Sequence, residues 1–348
     1  MRWNAANAML VTCVIALALA FPVLVRPQTG ADYERGIVEF QAGNYAQASE
    51  LFARAEALTP GATDALLYEG KCLIHLQDFA GAEKALRGYL LLHADSADAL
   101  YLLGFVLHRE NRPAESLDIY TKAATRVRPT SDDLKIVGLD YVLLHDYADA
   151  IRWLEKAVEF DPKNKDAWYY LGRAYYTTSR VLDAKKAFLT VLQLEPQDVK
   201  AEDNLGLVFE SDAQPAAAME AYQKAIAWQE ESPHPSEQPY VNLGNLLMEQ
   251  DRTKEAIEPL EKAVKLAPDN AYCRLRLGTA YLRTGQLDGA QRELEKATQL
   301  DPENAAAHYQ LGRLYKEIHA LDRAKAEFER TAELQTRSAA SAQAAPSH

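Results

Sequence analysis

Apolar residues recur along the chain at helical intervals, and glycine recurs with them at a longer one. Gly36, Gly70, Gly104, Gly138, Gly172 and Gly206 are each 34 residues apart; the step to Gly244 is 38, and Gly278 and Gly312 resume the step of 34. Set that glycine at position 8 of a 34-residue frame. Position 20 is then small throughout, from Ala48 and Ala82 through Ser116 to Ala324, and position 24 is large, as in Phe52, Leu86, Tyr120, Phe188 and Tyr222. Positions 7, 11, 24 and 27 are apolar at the spacing of a helix face. Proline falls at position 32 in five copies, behind an acid in Asp161-Pro162, Glu195-Pro196 and Asp301-Pro302. Such pairs stop a helix and turn the chain. Each copy therefore predicts two helices, A and B, and nine copies fill 29–338.

A glycine inside a helix costs about 1 kcal/mol relative to alanine. Nine of them persist only if close approach of helix A to helix B offsets the loss, with the small residue at position 20 as the matching contact. No copy buries its apolar face alone, so stability sums over stacked neighbours.

Trp168, Leu171, Gly172 and Tyr175 spell W-x2-L-G-x2-Y. The chain thus resembles the tetratricopeptide repeat family over 29–338. That resemblance implies an all-α fold, a right-handed superhelical solenoid whose concave groove is lined by positions 2, 5, 9 and 12 of the A helices. By register the groove residues are Lys71, Tyr101, Phe105, Tyr169, Arg173, Tyr176, Asn245, Tyr309, Arg313 and Lys316, with Arg283 at its edge; Tyr272, Val241 and Met248 share the register. Tyrosine and arginine often dominate binding energy, so the expected partner is a protein or peptide segment. The terminal-carboxylate clamp of some family members is not matched, since Lys135 is followed at position 9 by Leu139.

Several places depart from the pattern. Arg35 and Glu39 occupy apolar positions of the first copy, which suits a terminal copy facing water; Glu69 in the second copy has no such reason. The segment 230–239 carries three prolines and a four-residue insertion, placed at 233–236. It predicts a loop between copies one to six (29–232) and seven to nine (237–338), either a hinge or a tolerated surface insertion. Pro113 and Pro215 start B helices, and Pro259 should kink one. Helix B of copy nine is polar enough to cap the array, with Phe328 and Leu334 left to meet a partner or a second copy of the chain. The small, polar run 339–348 reads as a disordered tail.

The N-terminus changes the expected location. Arg2 precedes an uncharged apolar run over 9–25. Residues 1–28 read either as a cleaved secretory signal, with an A-x-A-like site at Ala18 and Ala20 or a later one after Ala31, or as an anchor over 3–25. Both readings place the repeats outside the cytoplasm, periplasmic or secreted, with membrane contact only through an uncleaved segment.

A net charge of −12 argues against nucleic acid. Cys72 and Cys273, far apart in sequence, suggest free thiols packed as small hydrophobes. No HExxH, P-loop, GxSxG or GxGxxG motif is present, so no metal, cofactor or catalysis is expected. Asp132 and Asp133 sit at a helix start, where acids cap amides. The reading is an exported, non-enzymatic scaffold for assembling a cell-envelope complex. Self-assembly into dimers and glycan binding on the aromatic residues are the alternatives.

Overall fold

The computed structural model describes residues 28–61 and 64–344, so the expected export segment lies outside the described residues apart from its last position. All regular structure among the described residues is α-helical. The chain forms two compact units, the first ending at His145 and the second beginning at Asp146. Unit 1 holds α1 (Gln28–Gln41), α2 (Tyr45–Leu58), α3 (Ala65–His75), α4 (Phe79–Leu92), α5 (Ala97–Arg109), α6 (Pro113–Ala124) and α7 (Ser131–Leu143). Unit 2 holds α8 (Tyr147–Phe160), α9 (Lys165–Thr177), α10 (Val181–Leu194), α11 (Val199–Ser211), α12 (Pro215–Trp228), α13 (Gln238–Glu249), α14 (Thr253–Leu266), α15 (Ala271–Arg283), α16 (Leu287–Leu300), α17 (Ala305–Glu317) and α18 (Leu321–Ala344). Within each unit consecutive helices pack antiparallel as A and B, each B packs on the next A, and neighbouring A helices touch.

The helix starts follow from local chemistry. Ser96, Asn164, Asp198 and Asn304 each accept the backbone N–H three residues on. Thr130 and Asp133 form a reciprocal capping box, so the Asp132-Asp133 pair does mark a helix start. Pro113 and Pro215 open α6 and α12, where a missing N–H is tolerated.

The turn between A and B has a feature that residue type conceals. Position 15 is left-handed in every copy, at Gly43, Gln77, Asn111, His145, Ser179, Ala213, Asp251, Gly285 and His319, with φ from 53 to 80°. Asn and Asp tolerate that region through local hydrogen bonds; alanine has no such relief, and a left-handed L-residue costs about 1–2 kcal/mol. Ala213, at φ 53°, should therefore be improved by glycine. Ala213→Gly is expected to stabilise unit 2 by about 0.5–1 kcal/mol after the greater unfolded-state entropy of glycine is subtracted. The readout is the urea midpoint; a lower midpoint than the parent would show that this turn carries no strain.

Inside each pair the close approach at glycine is real, and position 24 makes it together with the expected position 20. A Cβ on Gly36, Gly70, Gly104, Gly172, Gly206, Gly244, Gly278 or Gly312 would run into the side chain at position 24, from Phe52 to Phe328. Position 20 is buried beside it; there Ser116 donates its hydroxyl to the Gly104 carbonyl at 2.9 Å. Successive copies are also pinned by a repeated bond. Tyr175, Tyr281 and Tyr315, all at position 11, donate to Glu155, Glu261 and Glu295 at position 25 of the preceding copy, at 2.6, 2.6 and 2.8 Å. Cys72 and Cys273 are free and fully buried, and burial pushes their thiols up to about 12 and about 11. Neither thiolate is accessible at neutral pH.

The departures resolve individually. In the first copy Glu39 accepts from Asn44 at 2.8 Å across the A–B turn, and Arg35 is exposed. Glu69 is half-buried; burial first and Glu56 second hold its carboxyl above the usual range. The insertion lies inside unit 2 and is a tied loop: Gln229, itself buried, accepts from the Ser236 N–H and donates to its carbonyl, both at 2.8 Å. The helix α14 continues through Pro259. Two expectations about the last copy are corrected. Leu334 is buried and Phe328 half-buried against Gly312 of α17, so their apolar side is covered within the pair rather than left for a partner. The run expected to be disordered from residue 339 is helical as far as it is described, because α18 runs to Ala344; alanine is the best helix former and extends it.

Candidate binding face

In unit 1 the face of the A helices is knitted together by its own side chains. Lys71 of α3 pairs with Asp98 of α5 at 2.7 Å and lies over the Tyr68 ring. Tyr101 donates to the Val127 carbonyl at 2.6 Å. The Arg109 guanidinium covers both Phe79 and Phe105. His108 meets Asp140 of α7, fully buried, at 2.7 Å, while the other Asp140 oxygen has no hydrogen-bond partner among the described residues. Lys71, Tyr101 and Phe105 are therefore each only partly exposed.

Unit 2 presents a more open face. Tyr169 and Arg173 of α9 lie a turn apart, and the Tyr169 hydroxyl accepts from Asn204 of α11 at 3.4 Å. Burial raises the Tyr169 phenol above its ordinary value, opposed by the nearby Arg173. Tyr176 lies 3.4 Å from the Ser211 hydroxyl. Asn245 of α13 is held between Tyr272 and Arg276 of α15. Arg283, also on α15, reaches back to the Met248 carbonyl at 3.2 Å. On α17, Tyr309 is 47% exposed, Arg313 donates to Gln310, and Lys316 is exposed. The structure thus brings Tyr169 with Arg173, and Asn245 with the α15 residues, into shared contacts; Tyr309, Arg313 and Lys316 stand apart from these on α17. Val241 and Met248 do not belong to the face. Both are 1% exposed, because their apolar side chains turn into the core between α13 and its neighbours.

Register reading left out residues that shape one cavity of this face. A cavity of about 320 Å³ is lined by Tyr169 and Arg173, by Lys200, Asp203 and Leu207 of α11, and by Ser236, Gln238 and Pro239 where the insertion enters α13. Lys200, Asp203 and Leu207 are positions 2, 5 and 9 of the sixth copy, so completing the frame there would have found them. Their depth was not readable. Asp203 is 5% exposed, and its carboxylate accepts from Asn242 of α13 at 2.9 Å. Burial drives its carboxyl up to about 7, the Asn242 bond working the other way. Among the described residues no group of three or more His, Cys, Asp or Glu is placed to hold a metal ion.

Paired helices stacked by a 34-residue frame, with polar and aromatic side chains along the A face, define an α-helical repeat scaffold of the kind typically used to bind other proteins. The chain belongs to the tetratricopeptide repeat family. Models described as tetratricopeptide repeat match residues 33–92, 76–132, 247–298 and 285–345, and one described as TPR repeat matches 138–179. Among curated relatives, anaphase-promoting complex subunit 3 of Schizosaccharomyces pombe is 23% identical across 71% of this chain and 36% of its own length. Type IV pilus assembly protein PilF of Pseudomonas aeruginosa is 30% identical across 34% of this chain and 46% of its own. The chain thus spans less than half the length of either relative. Among solved structures, a tetratricopeptide repeat protein from Parabacteroides merdae superposes with a TM-score of 0.59 at 16% identity, over 72% of this chain and 97% of that one. PilW, a type IV pilus biogenesis factor, does so with a TM-score of 0.51 at 24% identity, over 59% and 92%. These likenesses show the fold. No helix among the described residues is long and apolar enough to cross a membrane.

Proposed function

We propose that this protein is an exported scaffold that holds a segment of another protein against its A-helix faces during assembly of a cell-envelope complex. The observation that carries the reading is the open face of unit 2. Tyr272 and Tyr309 stand 46% and 47% exposed there, with Arg283 on the helix of the first, Arg313 and Lys316 on the helix of the second, and Arg173 exposed on α9. Aromatic and guanidinium groups on a rigid helical frame bind at low entropic cost, since little of the surface has to be ordered. The apolar run at 9–25 supports export, and the pilus-assembly protein PilF among the relatives supports an envelope role.

The test is crosslinking in the living cell. A photoreactive residue replaces Tyr169 or Tyr309, and the control replaces Lys186, exposed on α10. The expected result is one defined protein captured from the face positions and not from the control. The same background from all three would remove the A-helix face as the working surface.

A further inference from the structure

The cavity beside Asp203 has a polarity that the rest of the face does not share. Its wall is the Tyr169 ring with Val199, Leu207 and Pro239, its mouth carries Arg173 and Lys200, both exposed, and its lining includes a carboxylate that is 95% buried. One oxygen of that carboxylate takes the Asn242 amide; among the described residues no other hydrogen bond or ion pair to Asp203 is formed. The acids nearby are treated differently. Asp198 and Glu195 share Lys165, at 3.1 and 2.5 Å, and Glu202 has Lys224 at 4.0 Å. A buried acid without a cation is uncommon, because desolvation is offset only by a charge partner or by neutralisation.

We propose that this cavity receives a basic side chain, lysine or arginine, from the docked segment, whose cation meets the free oxygen of Asp203. The inference rests on the proposed segment-binding role and names the chemistry of one contact within it. The Tyr169 ring supplies a wall on which an alkyl-ammonium or guanidinium stem can lie. About 320 Å³ is ample for one such chain. The exposed mouth cations are screened by solvent, whereas the buried acid acts at low dielectric, so the interior charge decides which guest is accepted.

Protons report the contact. The free carboxyl titrates at about 7, and a cationic guest requires the ionised form. The charged or titratable groups that face it are Tyr169 and Arg173 from α9, Lys200 and Glu210 on its own helix, and Tyr222 from α12; α13 contributes the neutral Asn242. Asp203 itself changes charge around pH 7, because burial in the cavity disfavours its ionised form. The ionised fraction then rises about tenfold between pH 6 and pH 8, and affinity should rise with it.

The experiment titrates the full chain with Nα-acetyl-lysine N-methylamide, and in parallel with the glutamine and glutamate analogues, following the side-chain amide signals of Asn204 and Asn242 by NMR. The lysine probe should bind saturably, about tenfold tighter at pH 8 than at pH 6, with proton release; the other two should not. Asp203→Asn, which keeps the acceptor for Asn242, should abolish the difference between lysine and glutamine probes. Preference for the glutamate probe, lysine binding unchanged by D203N, or no shift of either amide would each overturn the proposal. Capture of a defined protein from position 309 separates the two readings. If capture succeeds while the lysine probe fails, the scaffold role stands and the cavity assignment falls; if the probe binds without capture, the reverse holds.

Discussion

Asp203→Asn should stabilise unit 2 at pH 8 and flatten part of its pH dependence. The Asp203 carboxyl titrates at about 7 in the folded chain, raised chiefly by burial, against about 3.9 when unfolded. A group whose folded pKa is raised contributes stability that is fully present below the unfolded value and is lost as pH rises through the folded one. Between pH 4 and pH 7 this one residue should therefore withdraw about 3 kcal/mol from the folded state. Asparagine is never charged, and its carbonyl oxygen still accepts the Asn242 amide seen at 2.9 Å. The variant should match the parent near pH 4 and exceed it at pH 8 by about 2–4 kcal/mol, the lower figure allowing for local relaxation around the ionised acid. Urea midpoints of both proteins across that range decide the matter, because every other titrating group cancels in the difference. A constant difference with pH would mean that Asp203 is not the buried acid described.

Gly206→Ala should destabilise the same unit by about 2 kcal/mol. A methyl group there would lie within 2.7 Å of three atoms of the Tyr222 ring. Alanine gains about 1 kcal/mol of helix propensity, so in an uncrowded helix this change would help. Here the ring is fully buried and its hydroxyl is held by Glu210, so it cannot swing away as a flexible chain end would. Forced overpacking of a tight core costs about 1–3 kcal/mol, and more where the neighbour cannot move. Chemical denaturation checks it; a variant as stable as the parent would show that the two helices separate without penalty.

The frame itself was open to reading because glycine, alanine and proline each mark a steric requirement that few other residues meet. Gly206 and Ala218 mark a close helix pair by residue type alone. What escaped is what residue type does not encode. Position 15 is left-handed in all nine copies, yet its occupants range from Gly43 through Gln77 and Ser179 to His319, because a single exposed turn tolerates the strain. Size matching, small against small, found the position-20 contact, as Ser116 against Gly104, but gave no sign that a large group is also laid over the gap, as Phe188 over Gly172. On the binding face, register placed Tyr169, Arg173 and Tyr309 on the A helices, but it gave no depth. Val241 and Asp203 both occupy position 5 of their copies and both are buried: one joins the core, and the other faces a cavity shaped partly by a loop whose entry could not be traced from spacing.

The tyrosine–glutamate bond between copies has a genetic corollary. Copy eight carries both halves of it, Tyr281 to bond the copy before and Glu295 to bond the copy after. A tandem duplicate of its 34 residues, 271–304, would place a new tyrosine 20 residues beyond Glu295, the spacing that Tyr315 has now. The added junction would inherit the same bond without a single point mutation. An array built this way lengthens in whole steps, and a crossover between copies yields a chain that is already stitched.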